Sequence, residues 1–160
     1  MKFDNPDDVV VTEKLLSASL NWKMLQSGLA YPLIYTSNPV PHRALLRSVA
    51  IEARAKASPR TVWARDSSGE FVLRDKASIE PPDGSLIMPK LFRRCVDYLK
   101  AVDAGTIHGN LTDWLHANDH TENDRVLFNG IEQPFSSLIL QKNAKIALQG
   151  DFVDYVFVER

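Results

Sequence analysis

The segment 12–27 constrains the fold more than any other part of the chain, because its apolar residues form two stripes instead of one. The first stripe recurs at steps of three and four residues and consists of Leu15, Ala18, Trp22, Leu25 and Leu29. The second consists of Leu16, Leu20 and Met24. This spacing predicts a helix that follows the Thr12-Glu13 start signal and ends at Gly28. A helix with two apolar stripes needs cover on both sides, so we expect it to be a central element.

The composition of the 160 residues is typical of a globular chain, with 44% apolar and 24% charged residues, which excludes a collagenous or low-complexity class. The formal net charge of −1 means that any contact with nucleic acid must come from a local patch. The single cysteine, Cys95, cannot form an internal disulfide. The first residues have no signal-peptide pattern, and no apolar run approaches the ~20 residues that span a bilayer. The sequence therefore predicts a cytoplasmic chain without a membrane anchor.

Three further helices and a β-rich end complete the expected pattern, which is α+β. Prolines at positions 41 and 89 begin helices predicted over 41–57 and 89–102, and a short helix capped near Asn110 is predicted over 111–117. Cys95 lies on the apolar face of the helix 89–102, where we expect a buried, inert thiol. Four β-rich runs, separated by turn residues, predict an antiparallel meander with an internal last strand: 125–128, 135–141, 145–149 and 153–159.

Several blocks of residues resemble the staphylococcal-nuclease-like, or thermonuclease, family. Residues 9–64 resemble the C-terminal third of its nuclease domain. The blocks that carry this likeness are Leu25-Gln26-Ser27-Gly28-Leu29-Ala30-Tyr31, Glu52-Ala53-Arg54-Ala55-Lys56-Ala57 and Val62-Trp63-Ala64. Later blocks resemble the C-terminal extension of some bacterial members; they are Met88-Pro89-Lys90-Leu91-Phe92-Arg93-Arg94, Glu122-Asn123-Asp124-Arg125-Val126-Leu127 and Asp154-Tyr155-Val156-Phe157-Val158-Glu159-Arg160.

The resemblance implies that the nuclease-domain helices (1–66) are followed by a helical linker and a small antiparallel meander (67–160), with the boundary near 66–69. The family hydrolyses phosphodiester bonds in DNA or RNA, typically with calcium, on a five-stranded OB-type barrel. The family places its catalytic carboxylates and arginines upstream of the helix that begins here at Thr12, and this sequence does not contain those segments. The resemblance thus implies a truncated or split member without catalytic residues of its own. Calcium would be needed only if another chain completed the active site.

One segment partly resembles the missing catalytic loop, as if the domain were permuted. The run Gly130-Ile131-Glu132-Gln133-Pro134-Phe135 is similar to the family's Gly-Ile-Asp-x-Pro-Glu. However, Glu132 stands in place of the aspartate, Phe135 stands in place of the glutamate, and no Tyr-Gly-Arg follows. These departures favour a hairpin loop, and an active metal-dependent nuclease is kept as an alternative function.

Two further sets of polar residues are candidate sites. Arg43, Arg47 and Arg54 fall within about 40° on a helical wheel and could contact phosphates, although a solvated helix face is the more ordinary explanation. A weak nucleic-acid-binding module is therefore a second alternative. Four residues near the fourth helix have spacings that would allow a metal site: His108, His116, Asp119 and His120. The absence of a nearby cysteine or a zincin glutamate favours loop histidines, and we predict no metal or other cofactor.

The second apolar stripe supplies the candidate partner-binding residues, Leu16, Leu20 and Met24. Burying one leucine is worth about 2 kcal/mol, so this stripe favours a covering surface. Together with this stripe, the family resemblance implies a non-catalytic accessory module of a nuclease, which binds a barrel-bearing chain or a second copy of itself. Nucleic acid would be contacted through such a complex, and no membrane contact is expected.

Overall fold

The computed structural model describes residues 11–107, 109–117 and 124–159, and its described part has an α+β fold. The helices are α1 Glu13–Ala18, α2 Leu20–Gln26, α3 Val40–Ala55, α4 Pro89–Asp103 and α5 Leu111–Ala117. The strands are β1 Ile34–Tyr35, β2 Glu70–Val72, β3 Arg125–Phe128, β4 Ile131–Pro134, β5 Ile139–Lys142, β6 Lys145–Leu148 and β7 Val156–Phe157. No helix among the described residues combines the length and the hydropathy needed to span a bilayer.

The strands form two small sheets, ordered β1-β7-β3-β4 and β2-β6-β5, so the prediction of a single meander is wrong. A 3₁₀ turn, Phe135–Leu138, separates β4 in the first sheet from β5 in the second, and a second turn, Phe152–Asp154, precedes β7. Strand β7 pairs with β1 in parallel and with β3 in antiparallel orientation, which confirms the predicted internal last strand. The described strands form no closed barrel.

The predicted first helix is divided into α1 and α2 at Ser19, whose backbone is extended, with φ −69° and ψ 155°. The Ser19 hydroxyl donates to the Leu16 carbonyl at 2.6 Å, and its oxygen accepts from the Trp22 N–H at 3.2 Å. Ser19 thus ends one helix and caps the next. The expected central position is also wrong, because Leu25 is the one buried residue of the two helices.

Two apolar clusters fill the interior. The larger one lies between α4, α5 and both sheets. The smaller one consists of Leu25, Val49, Ala50, Ala53, Trp63 and Val153. Tyr31 and Phe152 pack against both clusters, and their rings stack with centroids 4.4 Å apart. The two sides of the expected boundary at 66–69 are therefore in contact, and their division into domains stays a prediction.

The predicted helix faces agree with the structure in most positions. In α5 the three apolar residues Leu111, Trp114 and Leu115 are buried, and the Asn110 side chain accepts from the Asp113 N–H at 2.8 Å as the expected cap. In α4, Leu91, Cys95 and Leu99 are buried, which confirms the expected burial of Cys95, whereas Val102 is exposed. Burial raises the pKa of the Cys95 thiol, which agrees with an unreactive side chain.

Candidate functional site

Helices α1 and α2 carry exposed apolar side chains beside a surface groove of about 410 Å³. Leu20 is 70% exposed and Met24 is 38% exposed, and Leu16 is half-buried. Leu16 and Met24 line the groove. We call this region, made of the groove together with Leu20, the α1–α2 surface. All three predicted partner-binding residues thus lie on α1 and α2 with apolar atoms accessible to solvent.

The opposite wall of the groove comes from the segment that follows α2, which the sequence suggested only as an extended connection. Tyr31, Leu33 and Tyr35 contribute to this wall. Leu46 of α3 also lines the groove. The Tyr31 hydroxyl donates to the Asp66 carboxylate at 3.0 Å, and burial raises the pKa of this hydroxyl. The uninterrupted apolar run Leu29-Ala30-Tyr31-Pro32-Leu33-Ile34-Tyr35 was the available sign in the sequence.

Gly28 follows α2 and has φ +71°. The chain turns at this residue and then continues into the groove wall. The Gly28 N–H donates to the Leu25 carbonyl at 3.0 Å and the Leu29 N–H to the Met24 carbonyl at 2.9 Å, which is the Schellman pattern. The Gly28 carbonyl accepts from the Val62 N–H at 2.9 Å. Two of the blocks that carry the family resemblance, separated by more than 30 residues in the sequence, are therefore in direct contact.

The three candidate nucleic-acid-binding arginines each have a partner within the chain. Arg43 donates to the carbonyls of Asn38 at 2.7 Å and Thr36 at 3.1 Å, which fixes the turn after β1. Arg47 forms an ion pair with Asp154. Arg54 makes a bidentate pair with Asp151 at 2.9 and 2.5 Å. The pairs of Arg47 and Arg54 join α3 to the turn before β7. Binding of nucleic acid by the three arginines stays a prediction.

The pairing with Arg54 affects the pKa of the Asp151 carboxyl group. Its partial burial raises the pKa, but the hydrogen bonds from Arg54 and from the Val153 N–H, together with the charges of Arg54 and Arg47, lower the pKa by a larger amount. The net effect holds the pKa of Asp151 below its ordinary value.

The segment that partly resembles a catalytic loop forms the β3–β4 hairpin. Asn129 and Gly130 both have positive φ, 51° and 78°, as a two-residue type I′ turn requires. Glu132 accepts from Arg125 across the hairpin at 2.7 Å. The prediction of a hairpin is confirmed.

The histidine set is described only at His116. Its Nδ1 lies 2.7 Å from the Thr112 carbonyl oxygen, and its Nε2 lies 3.3 Å from the Ser136 hydroxyl, which is buried. His108, Asp119 and His120 lie outside the described residues. Within the described residues no three His, Cys, Asp or Glu side chains are grouped so that they could hold a metal ion.

A buried charge cluster was missed by the sequence reasoning. Asp124 accepts from Lys90 at 2.7 Å and from Arg94 Nη2 at 3.0 Å, and Arg94 is 9% exposed. Lys90 also lies 4.8 Å from the ring centroid of Phe157 and 5.6 Å from that of Tyr35. The three extension blocks, which begin at positions 88, 122 and 154, thus meet at one place.

Comparison of the chain with protein-family models, with curated proteins and with solved structures gives no match.

Proposed function

We propose that this chain is a partner-binding accessory module of a nuclease, and that its α1–α2 surface docks a β-barrel of the thermonuclease type carried by another polypeptide. The exposure of Leu20 and Met24 beside an apolar groove is the observation that carries the proposal. Each leucine covered by a partner contributes about 2 kcal/mol to binding, so even a small number of contacts gives a useful driving force.

The choice of a barrel as the partner rests on the family resemblance. The end of α2 and the Val62-Trp63-Ala64 block resemble parts of the nuclease domain that follow its barrel, and Val62 contacts Gly28 at the end of α2. A chain with the same helices would present the same surface to the barrel. A homodimer through the α1–α2 surface is the competing arrangement.

In this proposal the partner barrel, and not this chain, hydrolyses the phosphodiester bond. The sequence contains neither the family's Asp-x-Pro-Glu loop nor its Tyr-Gly-Arg strand. The described residues also offer no cluster of ligands that fits calcium, so we derive no step through a metal in this chain. Carboxylates of the barrel would bind calcium in the complex. Nucleic acid would likewise be contacted through the complex, since Arg43, Arg47 and Arg54 already bind groups within the chain.

A complementation experiment tests the proposal. The probe is the barrel portion of a thermonuclease-family protein that lacks its last two helices, mixed with this chain and calcium and assayed on single-stranded and double-stranded DNA. We expect the mixture to form a one-to-one complex and to cut DNA faster than the barrel alone. Leu20→Glu should abolish both effects, because it places a charge on the apolar surface.

The matched control is Ile131→Glu, which introduces the same charge at an apolar side chain that is 66% exposed in the β3–β4 hairpin. It should leave the complex and its activity unchanged. The proposal is wrong if the barrel gains neither binding nor activity, or if the two variants behave alike. Sedimentation of the chain by itself distinguishes the competing homodimer, which Leu20→Glu would dissociate.

A further inference from the structure

A separate surface cavity of about 790 Å³ lies between the end of the 3₁₀ turn Val62–Ala64, strand β2 and the loop 81–87. Its lining shares no residue with the α1–α2 groove. The volume is in the range of cavities that hold small organic ligands, roughly 300–1,000 Å³.

The lining of this cavity combines apolar surface with positive charge. Val72, Pro81 and Pro82 contribute exposed apolar atoms, and two arginines, Arg65 and Arg74, lie at the same cavity. Its lining contains one carboxylate, Asp83. The cavity therefore has an excess of positive charge in a chain whose formal net charge is −1.

Within the described part of the chain neither arginine has a carboxylate partner, a property that they share with Arg43, Arg60 and Arg93. The arginines that do pair with a carboxylate are Arg47, Arg54, Arg94 and Arg125. The guanidinium groups of Arg65 and Arg74 therefore retain their donors for a ligand. A guanidinium group matches a phosphate with two parallel hydrogen bonds, which makes phosphate the anion that such a pair favours.

The loop beside the cavity is held in place by the backbone. The Leu86 N–H donates to the Ile79 carbonyl at 3.1 Å, and the Ser67 N–H donates to the Ser85 carbonyl at 2.8 Å. At Gly84 a Cβ atom would lie 2.3 Å from the Ser78 carbonyl oxygen, so the loop packs closely against the preceding turn. The cavity is thus preformed, which lowers the entropic cost of binding.

We propose that this cavity binds a nucleoside phosphate, with the phosphate on Arg65 and Arg74 and the flat base against Val72, Pro81 and Pro82. The base supplies the apolar body that the walls accommodate, and the Asp83 carboxylate can accept a hydrogen bond from an amino group or a sugar hydroxyl. Inorganic phosphate would use only the charged half of the cavity. The source is either a free mononucleotide or the phosphorylated end of a single strand, which share this chemistry.

Calorimetric titration at low salt tests the site with adenosine monophosphate, adenosine and inorganic phosphate as probes. The nucleotide should bind at least about tenfold more tightly than either of its parts. Arg65→Gln and Arg74→Gln should each weaken nucleotide binding by about tenfold, since each removes charge-assisted hydrogen bonds. The matched control is Arg93→Gln, which changes an exposed arginine of α4 outside the cavity lining and should leave binding unchanged.

Additional measurements make the result decisive. Val72→Glu, at a side chain exposed to the cavity, should weaken binding through charge repulsion, and circular dichroism checks that every variant is folded. A 5′-phosphorylated pentanucleotide that binds more tightly than the mononucleotide identifies a strand end as the ligand, and equal affinity identifies the free nucleotide. The site is refuted if the nucleotide binds no better than phosphate, or if Arg93→Gln weakens binding as much as Arg74→Gln. Leu20→Glu should not affect this titration, so its outcome is separate from that of the docking experiment.

Discussion

At the scale of single residues, Asp124 is expected to make a large contribution to stability. It is the carboxylate that pairs with both Lys90 and Arg94, whose side chains are nearly buried. Asp124→Asn leaves these two positive charges without a negative partner, and we expect the free energy of unfolding to fall by about 3 kcal/mol. Urea denaturation followed by circular dichroism measures this change.

The control for Asp124 is Glu132→Gln, which breaks the more exposed pair with Arg125. Exposed ion pairs contribute about 0–1 kcal/mol, so this variant should be close to wild type. Equal losses in the two variants would contradict the assignment of Asp124 as a buried charge partner.

The lowered pKa of Asp151 gives a pH dependence whose sign is defined. Its pKa lies below the ordinary value of about 3.9, so ionised Asp151 stabilises the folded state above about pH 4, and this stabilisation is lost as the pH falls through the folded pKa. Arg54→Gln should lower stability at pH 7 and reduce the dependence of stability on pH in acid. Thermal unfolding from pH 7 to pH 3 measures both effects, and Arg93→Gln should retain the wild-type profile.

Single residues also show what the sequence could not predict. The positions of Leu91, Cys95 and Leu99 on the inner face of α4 follow from their spacing alone. The burial of Arg94 beside them does not, because it depends on a carboxylate 30 positions away that no local pattern connects to it. The same limit applies to Arg47 and Arg54, whose partners are about 100 positions away.

At the scale of elements, Gly28 and Gly105 form a matched pair of helix ends. Each has positive φ, +71° and +67°, and each follows its helix in the Schellman pattern. A Cβ atom at Gly28 would lie 2.9 Å from Thr61 Cγ2, whereas nothing lies within 4 Å of one at Gly105. Gly105→Ala should cost about 1 kcal/mol from backbone strain alone, and Gly28→Ala should cost more because Thr61 and Trp63 must also shift.

Equilibrium unfolding of the two variants separates the packing effect from the backbone effect. We expect Gly28→Ala to lower the midpoint more than Gly105→Ala, and the double variant Gly28→Ala with Thr61→Ser to recover part of the loss, because it removes the methyl group nearest the new Cβ. Identical midpoints for the two single variants would show that the contact with Thr61 has no energetic effect.

The elements themselves were predicted well where a local signal exists. Pro89 and Asn110 mark the beginnings of α4 and α5, and the Asn129-Gly130 turn marks the first hairpin. The interruption at Ser19 was missed because apolar periodicity continues across it, although serine is a common helix cap. The break also divides both predicted apolar stripes between two helices, and periodicity does not reveal whether a surface within the same chain covers their residues.

At the scale of the whole molecule, the α+β class follows from the order of helical and β-rich segments, whereas the partition of strands between two sheets does not. Strand β1, before α3, pairs with β7 near the other end of the chain. Neither strand has more than two residues, and such short pairings carry no pattern that selects one partner over another. The groove wall beside β1, and thus half of the candidate site, depends on this long-range arrangement.

The same long-range contacts predict that the described part of the chain unfolds as one cooperative unit. Phe152 stacks on Tyr31 and Trp63, and Arg54 pairs with Asp151, so residues before and after position 66 share one interior. Trp63 belongs to the smaller apolar cluster and Trp114 to the larger one, which provides a fluorescent probe for each. Variants in which Trp22 is replaced and either Trp63 or Trp114 is the single remaining tryptophan should show the same urea midpoint by fluorescence and by circular dichroism.

Phe152→Ala tests whether the interface between the two clusters is responsible for this cooperativity. The substitution removes a ring that contacts both clusters, and we expect a loss of about 3 kcal/mol that both tryptophan probes report equally. The comparison variant is Phe92→Ala, which removes a half-buried ring that packs against the larger cluster only. If the Trp63 and Trp114 midpoints differ between the two single-tryptophan variants that retain Phe152, the two sides of position 66 unfold independently, because the shared aromatic stack is then too weak to couple them.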